Sequence, residues 1–198
     1  MTKNIEIEFK NIVSETDFHL ITQTFQIKND QFFTQTNHYF DTSDFSLKQA
    51  GAALRVRELP LSFEFTLKMP AKIGLLEVNQ NLSNEEASLL RTSSQIPNGE
   101  VMIELIKMNI NMEDIQYFGS LTTNRAEIKY KDGLLVFDHS FYLNKEDFEI
   151  EYEVADWSKG KINFEQLMSE LNIPILSADN KIERFYSAKK MSTTKVID

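Results

Sequence analysis

A chain of 198 residues, 41% hydrophobic and 26% charged, has the composition of an ordinary globular protein and the length of a single domain over residues 1–198. Its formal charge of −9 argues against a nucleic-acid surface, although a local arginine cluster can still hold a small anion. It has no cysteine for disulfides or thiolate metal sites, no apolar leader, and no run near the roughly 18 apolar residues of a membrane span, so a cytoplasmic location is expected.

In chain order, Ile5 to Lys10 alternates strictly, Ile5, Ile7 and Phe9 against Glu6, Glu8 and Lys10, the period of a strand with one apolar face. Ser14 to Asp17 has the composition of a helix N-cap, and Phe18, Leu20, Ile21 and Phe25 follow at helical spacing. Phe32 to Phe40 and Ala52 to Leu59 read as strands, separated by a polar turn at Asp41-Thr42-Ser43-Asp44 that Asp41 can cap. Pro60 ends the second of these, Ser62 to Met69 alternates until Pro70, and Leu75 to Leu82 is a further strand. Ser83-Asn84-Glu85-Glu86 is a capping box ahead of Ala87, Leu89 and Leu90, and Glu100 to Met108 is a second short helix after the Pro97-Asn98-Gly99 loop. Strands over 116–130 and 134–142 meet at the tight turn Lys131-Asp132-Gly133. Phe148 to Val154 alternates again, and Lys161 to Leu171 and Lys181 to Lys190 read as closing helices, with a polar tail running from Lys189 and Lys190 through Lys195. This order predicts an α+β domain built on a largely antiparallel sheet or barrel of about eight strands.

Several strands carry charges of particular types on one face: Glu6, Glu8 and Lys10; Arg55 and Arg57; Glu64, Thr66 and Lys68; Thr123, Arg125, Glu127 and Lys129; Glu149, Glu151 and Glu153. On any one strand, such a face ordinarily meets solvent while the other packs on the core. If the sheet closes with helices outside, the same faces line a tunnel, and their charges must be matched because unpaired buried ions cost several kcal/mol each. Periodicity leaves that choice open.

These residues resemble the CYTH domain proteins, or triphosphate tunnel metalloenzymes, in their stand-alone bacterial form. The resemblance runs through Glu6-Ile7-Glu8-Phe9-Lys10 (the ExExK signature), Tyr39-Phe40-Asp41-Thr42, Leu54-Arg55-Val56-Arg57, Thr66-Leu67-Lys68, Arg125, the region of Asp138, Glu149-Ile150-Glu151-Tyr152-Glu153 and Lys181-Ile182-Glu183-Arg184. ExExK alone is weak, but the ordered series spans almost the whole chain. The resemblance implies a closed eight-stranded barrel with a charged interior and a divalent-metal-dependent hydrolase of a triphosphate compound, inorganic tripolyphosphate or an organic one such as thiamine triphosphate. It also allows a class IV-type adenylyl cyclase making cyclic AMP and pyrophosphate from ATP, and a non-catalytic binder of polyphosphate or a phosphorylated metabolite.

By the resemblance, Lys10, Arg55, Arg57, Lys68, Arg125, Lys181 and Arg184 hold the phosphates, with Lys129 a weaker candidate. A triphosphate carries about four negative charges, which guanidinium groups bind bidentately and lysines as point charges. Glu6, Glu8, Glu149, Glu151, Glu153 and Asp138 are the implied ligands for Mg²⁺ or Mn²⁺, hard ions that prefer carboxylate oxygens. The family pattern needs two glutamates on the late strand where this chain has three, so the coordinating pair stays open. Glu6, Glu8, Lys10 and Glu151 are the implied catalytic residues, acting by positioning and electrostatics without a covalent nucleophile. His19, His38 and His139 are scattered and read as structural or solvent-facing; Phe141-Tyr142 and Phe185-Tyr186 read as core aromatics; Glu77 reads equally as a site acid or a surface residue. The expected partner is a small triphosphate, with no nucleic acid and no membrane, and monomer or homodimer is left open.

Overall fold

The computed structural model describes residues 2–176 and 179–194, with 191–194 as backbone alone. Lys195 of the expected polar tail lies outside the described residues. The strands are β1 (Thr2–Val13), β2 (Phe33–Thr42), β3 (Ala53–Leu59), β4 (Ser62–Pro70), β5 (Leu75–Leu82), β6 (Ile115–Tyr130), β7 (Gly133–Tyr142) and β8 (Lys145–Val154). The helices are α1 (Glu15–Thr24), α2 (Ser46–Gln49), α3 (Asn84–Ser93), α4 (Glu100–Lys107), α5 (Trp157–Glu170) and α6 (Lys181–Thr194). Among the described residues no helix is long and apolar enough to cross a membrane.

The strands bond in the order β1-β5-β4-β3-β2-β6-β7-β8 and close on themselves, so the α+β fold is an eight-stranded antiparallel barrel. β1 makes closure possible by its length: Thr2 to Glu6 pair with Asn79 to Leu75 of β5, and Ile7 to Val13 pair with Val154 to Phe148 of β8. The chain forms two compact units, Met1–Glu6 with Gln35–Ser120, and Ile7–Thr34 with Leu121–Asp198.

In the first unit, the apolar residues of alternating strands, Leu54, Val56, Phe65, Leu67 and Val78, pack with Leu47 of α2, Ala87 and Leu90 of α3, and Val101 and Leu105 of α4. The Ser83–Glu86 capping box starts α3 as expected, each residue's side chain bonding the other's backbone N–H. The polar turn after β2 hides a helix that periodicity missed. Asp41 accepts from the backbone N–H groups of Thr42 at 2.8 Å, Leu47 at 3.0 Å and Lys48 at 3.2 Å, and so caps the single turn of α2.

In the second unit, Val13, Ala126, Leu135, Phe137, Ile150 and Tyr152 of the strands pack with Phe18 and Ile21 of α1 and with Phe164, Leu167 and Met168 of α5. Ser14 caps α1 by accepting from Asp17 N. Helix α5 begins a turn earlier than its apolar spacing indicates, because Asp156 accepts from Lys159 N at 2.9 Å. Phe141 corrects the expectation of a core aromatic: it is 38% exposed, while Tyr142, Phe185 and Tyr186 are buried. It stands on the outer face of β7 against the His139 ring, and His139 in turn bonds Glu146.

Candidate active site

Because helices cover the apolar strand faces, the charged residues share the opposite faces. Asp138 at 0%, Glu149 at 1%, Glu151 at 6% and Arg125 at 6% exposure are not a solvated surface. Charges this buried persist only when paired.

In the second unit, Arg125 of β6, Asp138 of β7 and Glu149 of β8 form one cross-strand row. Arg125 grips Asp138 through Nε at 2.7 Å and Nη2 at 2.5 Å, and donates from Nη2 to Glu151 at 2.9 Å. Burial would lower the Arg125 guanidinium, but Asp138 and then Glu151 hold it well above its usual value. Lys181, the first residue of α6, puts its Nζ 2.8 Å from Asp138 and 2.5 Å from Glu149, and bonds Glu151 as well. Burial opposes this ammonium too, and the same three carboxylates hold its pKa well above the ordinary lysine value. Burial would raise the Glu151 carboxyl, yet Lys181 and Arg125 keep it well below the carboxylate range. One helical turn on, Arg184 donates to Glu149 from Nη2 and to Asp147 from Nε, both at 2.9 Å. On β1, Lys10 bonds Glu8 at 2.8 Å and also donates to Asn180 just before α6. Burial would depress Lys10, but Glu8 and then Glu151 raise it.

In the first unit, Lys68 Nζ joins Glu6 at 2.5 Å and Glu77 at 2.8 Å, with Arg55 Nη2 3.9 Å from Glu77. Burial would raise Glu77, and the Lys68 and Arg55 charges overcome it to leave the carboxyl at about 2. Arg57 lies 4.0 Å from Glu64 and donates to Asn37 at 3.4 Å. Arg55 Nε and Thr66 Oγ1 are buried with no hydrogen-bond partner among the described residues, and the two face each other across β3 and β4. Leaving a buried donor unsatisfied costs about 1–3 kcal/mol, the mark of a group placed for something else.

The structure thus gathers Lys10, Arg125, Asp138, Glu149, Glu151, Lys181 and Arg184 in one cluster and Glu6, Arg55 and Lys68 in another. Lys129 is exposed at its strand end and joins neither. Glu77, left undecided by the sequence, is buried and paired with Lys68 and Arg55, and Asp147 was missed. Its signal was present, since Asp147 shares the parity of Glu149, Glu151 and Glu153 and extends their row by one step.

The donor chemistry suits a divalent ion, all hard carboxylate oxygens. Their arrangement is more selective than the sequence implied. The point on which Asp138, Glu149 and Glu151 converge is filled by the Lys181 ammonium. Among the described residues no group of three or more acidic or histidine side chains is placed to hold a metal ion. Glu8 and Glu153 stand directly opposite each other on β1 and β8, like charges that repel unless a cation lies near.

The sequence pattern of the CYTH domain matches residues 4–186. The chain belongs to the CYTH family. A Bacillus subtilis (strain 168) protein with the provisional name triphosphatase YjbK is 50% identical over 192 residues, 97% of this chain and all of that one. A crystal structure from Bacillus halodurans, provisionally named an adenylate cyclase, is 43% identical, with a TM-score of 0.92, over 94% of this chain and 100% of that one. HpAC1 from Hippeastrum, a provisional adenylyl cyclase described as having a dominant triphosphatase activity, shares the CYTH fold at a TM-score of 0.77 and 20% identity, over 92% of this chain and 96% of that one.

Proposed function

We propose that this CYTH protein is a cytoplasmic, divalent-metal-dependent hydrolase of a triphosphate compound, inorganic tripolyphosphate or an organic triphosphate such as thiamine triphosphate. The observation that carries the reading is a set of faces whose buried Arg125 and part-buried arginines and lysines are interleaved with carboxylates, with the Arg55 Nε and Thr66 Oγ1 donors unpartnered among the described residues. An anion with many oxygens is the ligand that such donors serve. The 50% identity to a protein named as a triphosphatase agrees with it.

In this reading Lys10, Arg55, Arg57, Lys68, Arg125, Lys181 and Arg184 hold phosphate oxygens, as the CYTH motifs imply. Glu6, Glu8 and Glu153 hold the metal, Mg²⁺ or Mn²⁺. Glu153 is preferred over Glu149 and Glu151 because it stands directly opposite Glu8 across β1 and β8. When bound, the metal supplies charge stabilisation to phosphate oxygens. The chain does the rest by placement. The Glu8 carboxylate accepts a proton from the attacking water, whose oxygen bonds to a terminal phosphorus as the bridging P–O bond breaks. Lys10, held against Glu8 at 2.8 Å, offsets charge on the departing phosphate. Asp138 and Arg125, bonded to each other, hold Glu151 and Lys181 in register.

Steady-state kinetics on tripolyphosphate with Mn²⁺ test these roles. Glu6→Ala and Glu8→Ala are expected to lower kcat by about a hundredfold or more, and Arg55→Ala to raise KM by about tenfold with a smaller effect on kcat. Wild-type kinetics in any of the three removes that residue from the site.

A further inference from the structure

Tyr142 and Asp147 have no part in the roles assigned above, yet they are built around one of the phosphate-binding groups. Tyr142 ends β7 and Asp147 lies near the start of β8, on either side of the 143–144 turn. Tyr142 Oη donates to Asp147 Oδ2 at 2.5 Å, and Arg184 Nε donates to the same oxygen at 2.9 Å. The terminal nitrogens of Arg184 point elsewhere, Nη2 to Glu149 at 2.9 Å and Nη1 to the Asp179 carbonyl at 2.6 Å, with a 3.5 Å contact from Nη1 to Glu149. All these residues belong to the second unit.

A carboxylate beside an arginine that receives a polyanion is electrostatically unfavourable for binding, because it repels the ligand and cancels part of the guanidinium charge. Its geometry supplies the compensation. Arginine has a long, rotamer-rich side chain whose planar fork binds phosphate well only when its plane is set. Asp147 takes Nε, the nitrogen that fixes the rotation of that plane, and leaves the terminal nitrogens to exchange partners. Tyr142 is a stiff, buried ring whose hydroxyl in turn fixes the carboxylate. Burial and Asp147 push this phenol up to about 12, so it stays a donor across the working pH range.

We infer that Asp147, braced by the Tyr142 hydroxyl, is a positioning residue that orients Arg184 for phosphate binding. This rests on the assignment of Arg184 to the phosphates. Two effects of opposite sign are then at stake in Asp147→Asn. Relief of repulsion alone would lower the KM for tripolyphosphate, and loss of positioning would raise it.

The test measures KM and kcat on tripolyphosphate with Mn²⁺ for the wild type, Arg184→Ala, Asp147→Asn, Tyr142→Phe, and the two latter changes combined with Arg184→Ala. Thermal melts confirm that each variant is folded. Arg184→Ala is expected to raise KM more than it changes kcat. Asp147→Asn should raise KM about tenfold and Tyr142→Phe about threefold, and neither should change KM further in the Arg184→Ala background. Arg184→Ala raising KM while Asp147→Asn lowers it or leaves it unchanged overturns the positioning role and leaves Arg184 in place. Arg184→Ala without effect on KM overturns the phosphate assignment, and the inference with it. Should Asp147→Asn fail to fold, Tyr142→Phe, which changes no charge, decides the matter: an unchanged KM overturns the inference.

Discussion

Lys181 sits at the focus of Asp138, Glu149 and Glu151, and removing its charge leaves three buried carboxylates to share the Arg125 and Arg184 guanidiniums. Lys181→Met is therefore expected to destabilise the fold by about 3–5 kcal/mol in denaturant melts. A loss below about 1 kcal/mol would mean that these groups are solvated in solution. Glu77 makes a second, pH-linked contribution. Its folded pKa of about 2 lies below its ordinary 4.5, so the stability it adds is present above pH 4.5 and is lost as pH falls through 2. Wild type should lose more stability than Glu77→Gln between about pH 5 and pH 3, and parallel acid limbs would contradict the depressed pKa. At this scale the parity of charged residues was legible. The partners were not, because alternation shows which face a side chain takes and not which neighbour crosses from another strand. Nothing local marks Arg125 as the residue that grips Asp138, and Glu77 looked as much like a surface glutamate as a site acid.

Most elements could be read from period and caps: α1 from Ser14, α3 from Ser83 and Glu86, the β6–β7 hairpin from its turn, β8 from unbroken alternation. The failures share a cause. Helix α2 is held at its first three amides by the side chains of Thr42 and Asp41, which carry no periodic signature. β1 extends beyond Ile5–Lys10 to Thr2–Val13 because two partners continue its ladder past the end of its alternation. Packing also fixes α5 in a way that spacing does not show. A Cβ at Gly160 would come within 2.5 Å of Val154 Cγ2 and 2.8 Å of Phe9 Cε2. Gly160→Ala is expected to push α5 off β8 and β1 and cost about 1–3 kcal/mol despite the gain in helix propensity. An unchanged or raised melting temperature would show that the contact relaxes freely.

At the scale of the molecule, the order of predicted strands and helices indicated an α+β domain, and the ordered motifs predicted the closed barrel through their family. The strand order itself, with β1 between β5 and β8, was beyond periodicity because it depends on long-range pairing. Each unit keeps its own apolar cluster on the helical side and its charges on the other, so the charged faces are built into the fold. The relatives carry two different names, a triphosphatase and an adenylate cyclase, and product chemistry separates them. The direct test is phosphorus NMR of the purified protein with tripolyphosphate, thiamine triphosphate and ATP in turn, each with Mg²⁺ or Mn²⁺. Metal-dependent release of orthophosphate from tripolyphosphate or thiamine triphosphate is expected, with no cyclic AMP from ATP. Cyclic AMP with pyrophosphate from ATP, or tight binding of all three without turnover, would rule out a triphosphatase.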